Sequence, residues 1–301
     1  MKVKIPIVRR ATQIFAFFWA NSFWNVFFTG RLYKGPLKGT CVPFLNCHGC
    51  PTATFGCPIG TIEHYMVIRR FPYEIVGQLG LLGLLVGRMA CGWLCPFGLL
   101  QDLLFMVTKA EVKIAHAWRH VRWFILIGLV IAVPWITAED FFSKVCPVGI
   151  LTADLPWLLW NPLDPSTGKP MFASVVVWAI AINLAILAAI LVLSTFIKRP
   201  FCRVLCPLGH IFSLFNKVSL VKLEVAPSCD RCNACQTVCP VDIKVYEDPN
   251  SSECIRCLSC TVCGHVKVGS RRLVPSEPVW TMRKVATSDA PSEAKGAGDT
   301  A

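Results

Sequence analysis

With 301 residues, 54% of them hydrophobic and 16% charged, and a mean hydropathy of +0.54, the chain is too apolar for a soluble domain and too long for a single anchor. Its formal charge of +12 is spread along the sequence with no recognition module beside it, which excludes a nucleic-acid footprint and assigns the excess to membrane orientation at an anionic lipid surface. No nucleophile–base triad or phosphate loop is present, so hydrolytic and transferase chemistry are excluded as well.

A bilayer-spanning helix needs about 20 mostly apolar residues, and four segments are predicted to supply one. The first runs over residues 11–28, interrupted by Gln13, Asn21, Ser22 and Asn25. It is retained, because no small-residue cleavage site follows it. The second, residues 75–90, is rich in Leu and Gly, as tightly packed membrane helices are. The third covers residues 121–137 and the fourth residues 172–197. Segments 99–107, 150–160 and 208–215 are apolar but too short to cross, and read as interfacial or re-entrant helices.

Basic residues near the span ends place both termini on the cytoplasmic side of the membrane. Lys2, Lys4, Arg9 and Arg10 precede span one; Arg88, Lys109, Lys113, Arg119 and Arg122 lie between spans two and three; Lys198, Arg199, Arg203, Lys217 and Lys222 follow span four. The loop after span one runs against this rule, with Arg31, Lys34, Lys38, Arg69 and Arg70 on the outside. The predicted fold is thus an α-helical polytopic membrane protein over residues 1–220, a small α+β domain over 221–275, and a disordered tail over 276–301.

The 17 Cys fall mostly in dense clusters, which favours metal over a disulfide scaffold. The run CDRCNACQTVCP places Cys229, Cys232, Cys235 and Cys239 at the spacing that holds a [4Fe-4S] cube, and Cys254, Cys257, Cys260 and Cys263 follow after 14 intervening residues. Structural zinc is the alternative for paired Cys-x-x-Cys. The tail resembles a two-cluster bacterial ferredoxin. That resemblance implies a crossed ligand set: Cys229, Cys232, Cys235 and Cys263 on cluster one, Cys254, Cys257, Cys260 and Cys239 on cluster two. The second run departs from the pattern, with two residues before Cys263 and Gly264 in place of Pro.

Two further stretches, RMACGWLCPFG from Arg88 and RPFCRVLCPLG from Arg199, repeat each other 111 positions apart. Each ends in Cys-x-x-x-Cys-Pro, which puts two thiols on one helix face before a backbone break. Together Cys91, Cys95, Cys202 and Cys206 could enclose a metal or cluster at the inner membrane face, with an Arg beside each pair to favour thiolate. Buried hydrophobe or redox-active dithiol are the alternatives. Cys-Pro-x-Gly recurs at Cys57 and Cys146 on the outer side. With Cys47 and Cys50 these make a second candidate set, either cluster ligands or disulfides. Cys41 is spare there, and His48 is an alternative ligand.

The order NCHGCP, CPIG, GRMACGWLCPFGLLQD, CPVG, KRPFCRVLCPLG and a ferredoxin tail resembles the membrane-bound polyferredoxins related to NapH, MauN and the membrane domain of NosR, over residues 11–268. The resemblance implies iron–sulfur clusters and electron exchange between a cytoplasmic donor, the quinone pool and an outer-side reductase or cytochrome. With a partner, that amounts to quinol dehydrogenation. The reading that follows is a wire: two [4Fe-4S] clusters in the tail, the inner thiol set, and the outer set. Two other classes stay open, an assembly factor that handles or reduces a metal such as copper, and a redox sensor. Trp93, Trp123 and Trp135 could line a quinone site, although interfacial Trp anchors membrane proteins. The pair His116 and His120 reads as a solvated helix face.

Overall fold

The structure, a computed structural model, describes residues 5–108, 112, 118, 120–160 and 177–270. The expected tail 276–301, His116 and the start of the fourth span at 172–176 lie outside the described residues. Met1–Ser270 is one compact unit, so the ferredoxin-like segment packs together with the helices before it.

Helix α1 spans Ile5–Ala20. It begins earlier than the predicted 11–28 segment and stops at Ala20. There the Asn21 amide turns back on the Phe17 carbonyl (3.0 Å) and reaches Asn46 Oδ1 (3.0 Å), offering the chain an alternative to the next helical turn. The buried face of α1 is its polar and small one, Arg9, Gln13, Ala16 and Ala20, four, three and four residues apart. Ile14, Phe15, Phe18 and Trp19 point outward.

Helix α2 (Pro58–Val67) and α3 (Tyr73–Val86) follow. Helix α3 ends at Gly87, whose φ of +58° only Gly adopts without strain; a Cβ there would meet Arg256 Nη1 and Asn216 Oδ1 at 2.6 Å. Short α4 (Met89–Trp93) carries Cys91, and α5 (Pro96–Thr108) starts directly after Cys95. Helix α6 (Val121–Thr137) is π-helical over Ile125–Ala132. A continuous helical run occupies residues 147–160, α8 covers Val177–Phe196 against α5, and a π-helical turn at Phe201–Leu205 leads into α9 (Pro207–Phe215); the run at 147–160 is α7. The segments expected to be short helices at 99–107, 150–160 and 208–215 are thus helical, inside α5, α7 and α9. Strands β1 (Val221–Val225) and β2 (Val266–Ser270) pair antiparallel, Val221 opposite Ser270 and Val225 opposite Val266, and clasp the base of the tail.

Each of the four Cys-Pro-x-Gly motifs starts a helix at its Pro. Pro fits the first turn because its missing N–H would have had no intrahelical partner, and it holds the preceding Cys extended. Among the described residues one helix, Trp178–Phe196, is long and apolar enough by itself to cross a bilayer, and only 17% of it is buried. Tyr73–Val86, Pro96–Thr108 and Val121–Thr137 are apolar but shorter. Around them the surface is apolar, with Leu81, Phe124, Ile136, Trp178 and Ile182 facing out, and the apolar core also encloses Arg88, Gln101, Arg199 and Asn216, fully buried.

Candidate metal centres

The inner thiol set is assembled from the two sequence repeats. Cys91, Cys95, Cys202 and Cys206 are all buried, and each lies close enough to the others for their charges to interact. Burial pushes the Cys95 thiol up to about 12, with the charges of Cys202 and Cys91 adding to the rise. Burial likewise raises Cys91 and Cys202, while the Arg88 and Arg199 guanidiniums pull them back. Burial thus favours the protonated thiols, and it is metal binding that would turn them into thiolate ligands.

The arginines are exchanged between the repeats. Arg88, of the first, donates from Nη2 to the Cys202 carbonyl at 2.5 Å, and Arg199, of the second, donates from Nη1 to the Cys91 carbonyl at 3.2 Å. The Gly of each Cys-Pro-x-Gly makes room for the other repeat's Arg. A Cβ at Gly209 would stand 2.9 Å from Arg88 Nη2, and one at Gly98 would stand 3.0 Å from Arg199 Nη1. This is why the chain writes the motif twice, with Arg, two Cys and Gly at fixed offsets: each copy completes the other. Sulfur also receives direct hydrogen bonds, from Gln101 Nε2 to Cys202 (3.1 Å) and from the Gly209 N–H to Cys206 (3.3 Å).

In the tail the two Cys loops share a backbone path. Arg231 and Asn233 in the first, Arg256 and Leu258 in the second, all have positive φ, between 48° and 62°. The second loop therefore repeats the first although it lacks the Pro after its last Cys. Cys239 lies with Cys254, Cys257 and Cys260; burial first, then the neighbouring thiols, push Cys239 up to about 11 and Cys254 up to about 12, and raise Cys260 as well. Cys263 and Cys229 lie by Cys235. Cys232 is exposed, so the first loop is the outward one.

The second loop is built onto the inner set. Gly92, between the inner cysteines Cys91 and Cys95, faces the Ile255 carbonyl so closely that a Cβ would come within 2.4 Å of it. Trp93 Nε1 donates to the Arg256 carbonyl at 3.0 Å. The Arg256 guanidinium, 1% exposed, reaches the carbonyls of Val86 (2.9 Å) and Asn216 (2.6 Å) and the Ser219 hydroxyl (2.6 Å). Asn216 in turn donates to the carbonyls of Ser251 and Cys254 and accepts from the Arg88 N–H.

On the other side of the chain, a small cavity of about 20 Å³ is lined by Cys47, Cys57, Cys146 and His48. The Cys-Pro-x-Gly glycines act here as well: a Cβ on Gly60 would meet His48 Nδ1 at 3.0 Å, and one on Gly149 would meet Cys47 Sγ at 3.5 Å. Cys50 is near Cys47 but is set back from that cavity, with its sulfur 3.5 Å from the Thr52 hydroxyl. Cys41 lies beside Cys57, 3.3 Å from the Thr61 hydroxyl. All 17 Cys are free thiols. Glu63 of α2, fully buried, accepts the N–H groups of Phe141, Phe142 and Ser143 and the Ser143 hydroxyl, which pins the Cys146 loop to the helix that follows Cys57. A larger apolar cavity of about 370 Å³ reaches from Pro96 and Phe97, next to Cys95, to Cys50, Pro51 and Val148, and Phe17, Phe18, Asn21 and Trp24 line it.

Among the described residues no three Cys, His, Asp or Glu side chains converge tightly enough for one metal ion. A single zinc draws its sulfurs to about 2.3 Å. Four buried thiols with arginines and N–H groups turned to them have donor chemistry that fits an iron–sulfur cluster, which is net anionic once ligated. Sequence reasoning missed Gln101, Asp102, Asn216, Arg256 and Glu63. Only Gln101 and Asp102 carry a signal, since they close the GLLQD end of the first repeat.

A 4Fe-4S binding domain family matches residues 76–114 and 174–225, the segments that contain the two repeats. An uncharacterized protein of Methanocaldococcus jannaschii is 30% identical over 217 residues, which is 68% of this chain and 81% of the relative. Protein NirI of Paracoccus denitrificans is 32% identical over 191 residues, 60% of this chain and 26% of its own length. The methylamine utilization ferredoxin-type protein MauN of the same organism is 26% identical over 174 residues, 55% of this chain and 54% of its own. No solved structure matches the chain.

Proposed function

The chain belongs to the membrane-associated, ferredoxin-type 4Fe-4S electron-transport proteins, and on that premise we propose that it is a four-span wire, passing electrons between tail clusters and the membrane. The observation that carries this reading is the seat of the Cys254–Cys257 loop on Gly92 and Trp93, which sets the second tail site directly against the inner thiol set. In support, the family-matched segments hold Cys91, Cys95, Cys202 and Cys206 and end before the first tail cysteine, Cys229. When bound, the clusters supply one-electron chemistry; the chain supplies everything that fixes where it happens. Cys229, Cys232, Cys235 and Cys263 would hold the outward tail cluster, and Cys254, Cys257, Cys260 and Cys239 the inward one. The exposed Cys232 edge is where a cytoplasmic redox partner docks.

The outward-facing apolar side chains of α1, α3, α6 and α8 meet lipid, and the buried arginines and amides are shielded from it. The cavity of about 370 Å³ lies between the inner set and the Cys47/Cys50/Cys57/Cys146 side. It has the size and aromatic lining for a quinone ring, which shortens the path across a hydrocarbon layer about 30 Å thick. Beyond it, the outer thiols hand electrons to an outer-side reductase or cytochrome.

The test is iron and acid-labile sulfide per chain, with EPR of the reduced protein, on anaerobically purified wild type and on Cys91→Ala/Cys206→Ala. More than about eight irons, the content of two [4Fe-4S] tail clusters, is expected in wild type, with a distinct signal lost in the variant. Reduction of that signal by a short-chain quinol checks the quinone step. About eight irons in both proteins would confine clusters to the tail, and copper bound in place of iron at the inner set would make the chain a metal-handling factor.

A further inference from the structure

The repeat that writes Arg88 and Arg199 at equal offsets from their cysteines does not write their counter-charges twice. Asp102 stands fourteen residues after Arg88, and at the same offset after Arg199 stands Ser213. Asp102 accepts Arg199 through Nε and Nη2, both at 2.6 Å, and also Arg9 Nη2 at 3.0 Å. Ser213 gives its hydroxyl to the His210 carbonyl at 2.6 Å.

Arg88 is thus left with neutral partners. Its guanidinium, 0% exposed, donates to the carbonyls of Cys202 (2.5 Å), Ser252 (3.3 Å) and Glu253 (3.3 Å), and no carboxylate pairs with it among the described residues. The Glu253 carboxylate is turned to Arg203 instead, at 3.6 Å. Carbonyl oxygens satisfy the hydrogen bonds of a guanidinium but carry no net charge, so a cation buried among them still needs an anion nearby. The thiol set beside it is that anion once a cluster is ligated.

We propose that Arg88 is the charge that sets the reduction potential of the inner thiol set, and that Asp102 silences its repeat partner Arg199, so that two arginines written alike act unequally. The inference rests on the reading of Cys91, Cys95, Cys202 and Cys206 as cluster ligands. An electron arriving at the inner set adds negative charge in a low-dielectric surrounding, where an uncompensated guanidinium stabilises it strongly and one in bidentate contact with a carboxylate does so weakly. Arg88 also touches the two residues before Cys254, so its charge stands where the second tail site meets the inner set. Transfer between them moves one electron; the tail site is oxidised, the inner set is reduced, and no bond or proton changes. Arg88 tilts that exchange toward the inner set.

The test is an EPR-monitored redox titration of the full-length protein, purified anaerobically, as wild type, Arg88→Gln, Arg88→Lys and Asp102→Asn, with iron counted in each. Arg88→Gln is expected to lower the inner midpoint potential, Arg88→Lys to restore most of it, and Asp102→Asn to raise it by unmasking Arg199. A purely structural role for these residues loses iron without shifts of opposite sign. Midpoints that stay put, or move the same way in Arg88→Gln and Asp102→Asn, overturn the proposal. Should Arg88→Gln fail to hold iron, the sign of the Asp102→Asn shift decides. Absence of any signal sensitive to Cys91→Ala, with about eight irons per chain, removes the ligand reading and this inference with it; a signal that is present but unshifted removes this inference alone.

Discussion

His210 shows how far a single side chain is governed by the charges around the inner set. It is buried on α9, its ring edge-on to Trp123 with centroids 4.3 Å apart. Burial, then the nearby Arg122 and Arg88 guanidiniums, bring its pKa from the ordinary 6.5 down to about 4. The unfolded chain takes up a proton near the ordinary value while the folded one refuses it until about 4. Stability is therefore full above 6.5 and falls as pH drops from 6.5 toward 4. His210→Gln is expected to flatten that segment of the profile. Thermal unfolding in detergent across the same pH range measures it, and an unchanged slope would assign the acid sensitivity elsewhere. Nothing at the residue scale announced this in the sequence, where His210 is one more residue after a Cys-Pro-x-Gly.

The elements show what was legible and what was not. The Cys-x-x-x-Cys-Pro motifs were read as thiol pairs before a backbone break; that each Cys-Pro-x-Gly also starts a helix is seen only in the structure, where Pro and the residue before it have few conformations to choose from. The positions of α3, α5, α6, α8 and α9 were readable from apolar runs. Helix α1 was misplaced because its apolar residues form the outward face, so the long run 11–28 concealed the polar stripe that docks: Gln13 Nε2 on the Cys95 carbonyl (3.0 Å) and Arg9 on Asp102 (3.0 Å). The seat of the tail loop on α4 was not legible at all, since a contact between residues 92 and 255 leaves no local pattern. It depends on the missing side chain of Gly92. Gly92→Val is expected to push the Ile255 carbonyl away, costing about 1–3 kcal/mol as overpacking does, and, on the proposed cluster reading, to weaken magnetic interaction between the second tail site and the inner set. Thermal unfolding and EPR line shape report the two effects, and a variant with both intact would show that the loop is not seated there.

At the scale of the whole molecule, composition pointed to a membrane protein, and the structure adds that charged and amide side chains such as Arg88, Gln101, Arg199 and Asn216 are buried within an otherwise apolar core. The crossed placement of the tail cysteines was readable only through the resemblance to ferredoxins. In the structure Cys239 lies with Cys254, Cys257 and Cys260, and Cys263 and Cys229 lie by Cys235. If α8 crosses the bilayer, a charge in mid-helix on its outer face disturbs insertion. Ile182 is 58% exposed, and Ile182→Arg is expected to cost roughly 2.5–3.5 kcal/mol near the helix centre and less toward its end. The variant should appear in smaller amount in carbonate-washed membranes; equal recovery would place that face away from lipid.

The exchange of arginines between the repeats has a consequence in time as well as in space. A ribosome delivers Arg88 and its two cysteines more than a hundred residues ahead of Cys202, the residue whose carbonyl receives that guanidinium. Until then the first repeat holds a cation with no seat and two thiols with half a ligand set. The carbonyls of Ser252 and Glu253 emerge later still. The seat of Arg88 is therefore complete only once Ser252 and Glu253 have left the ribosome, so on the reading proposed above the inner set is filled after, not during, synthesis of the helices that carry it.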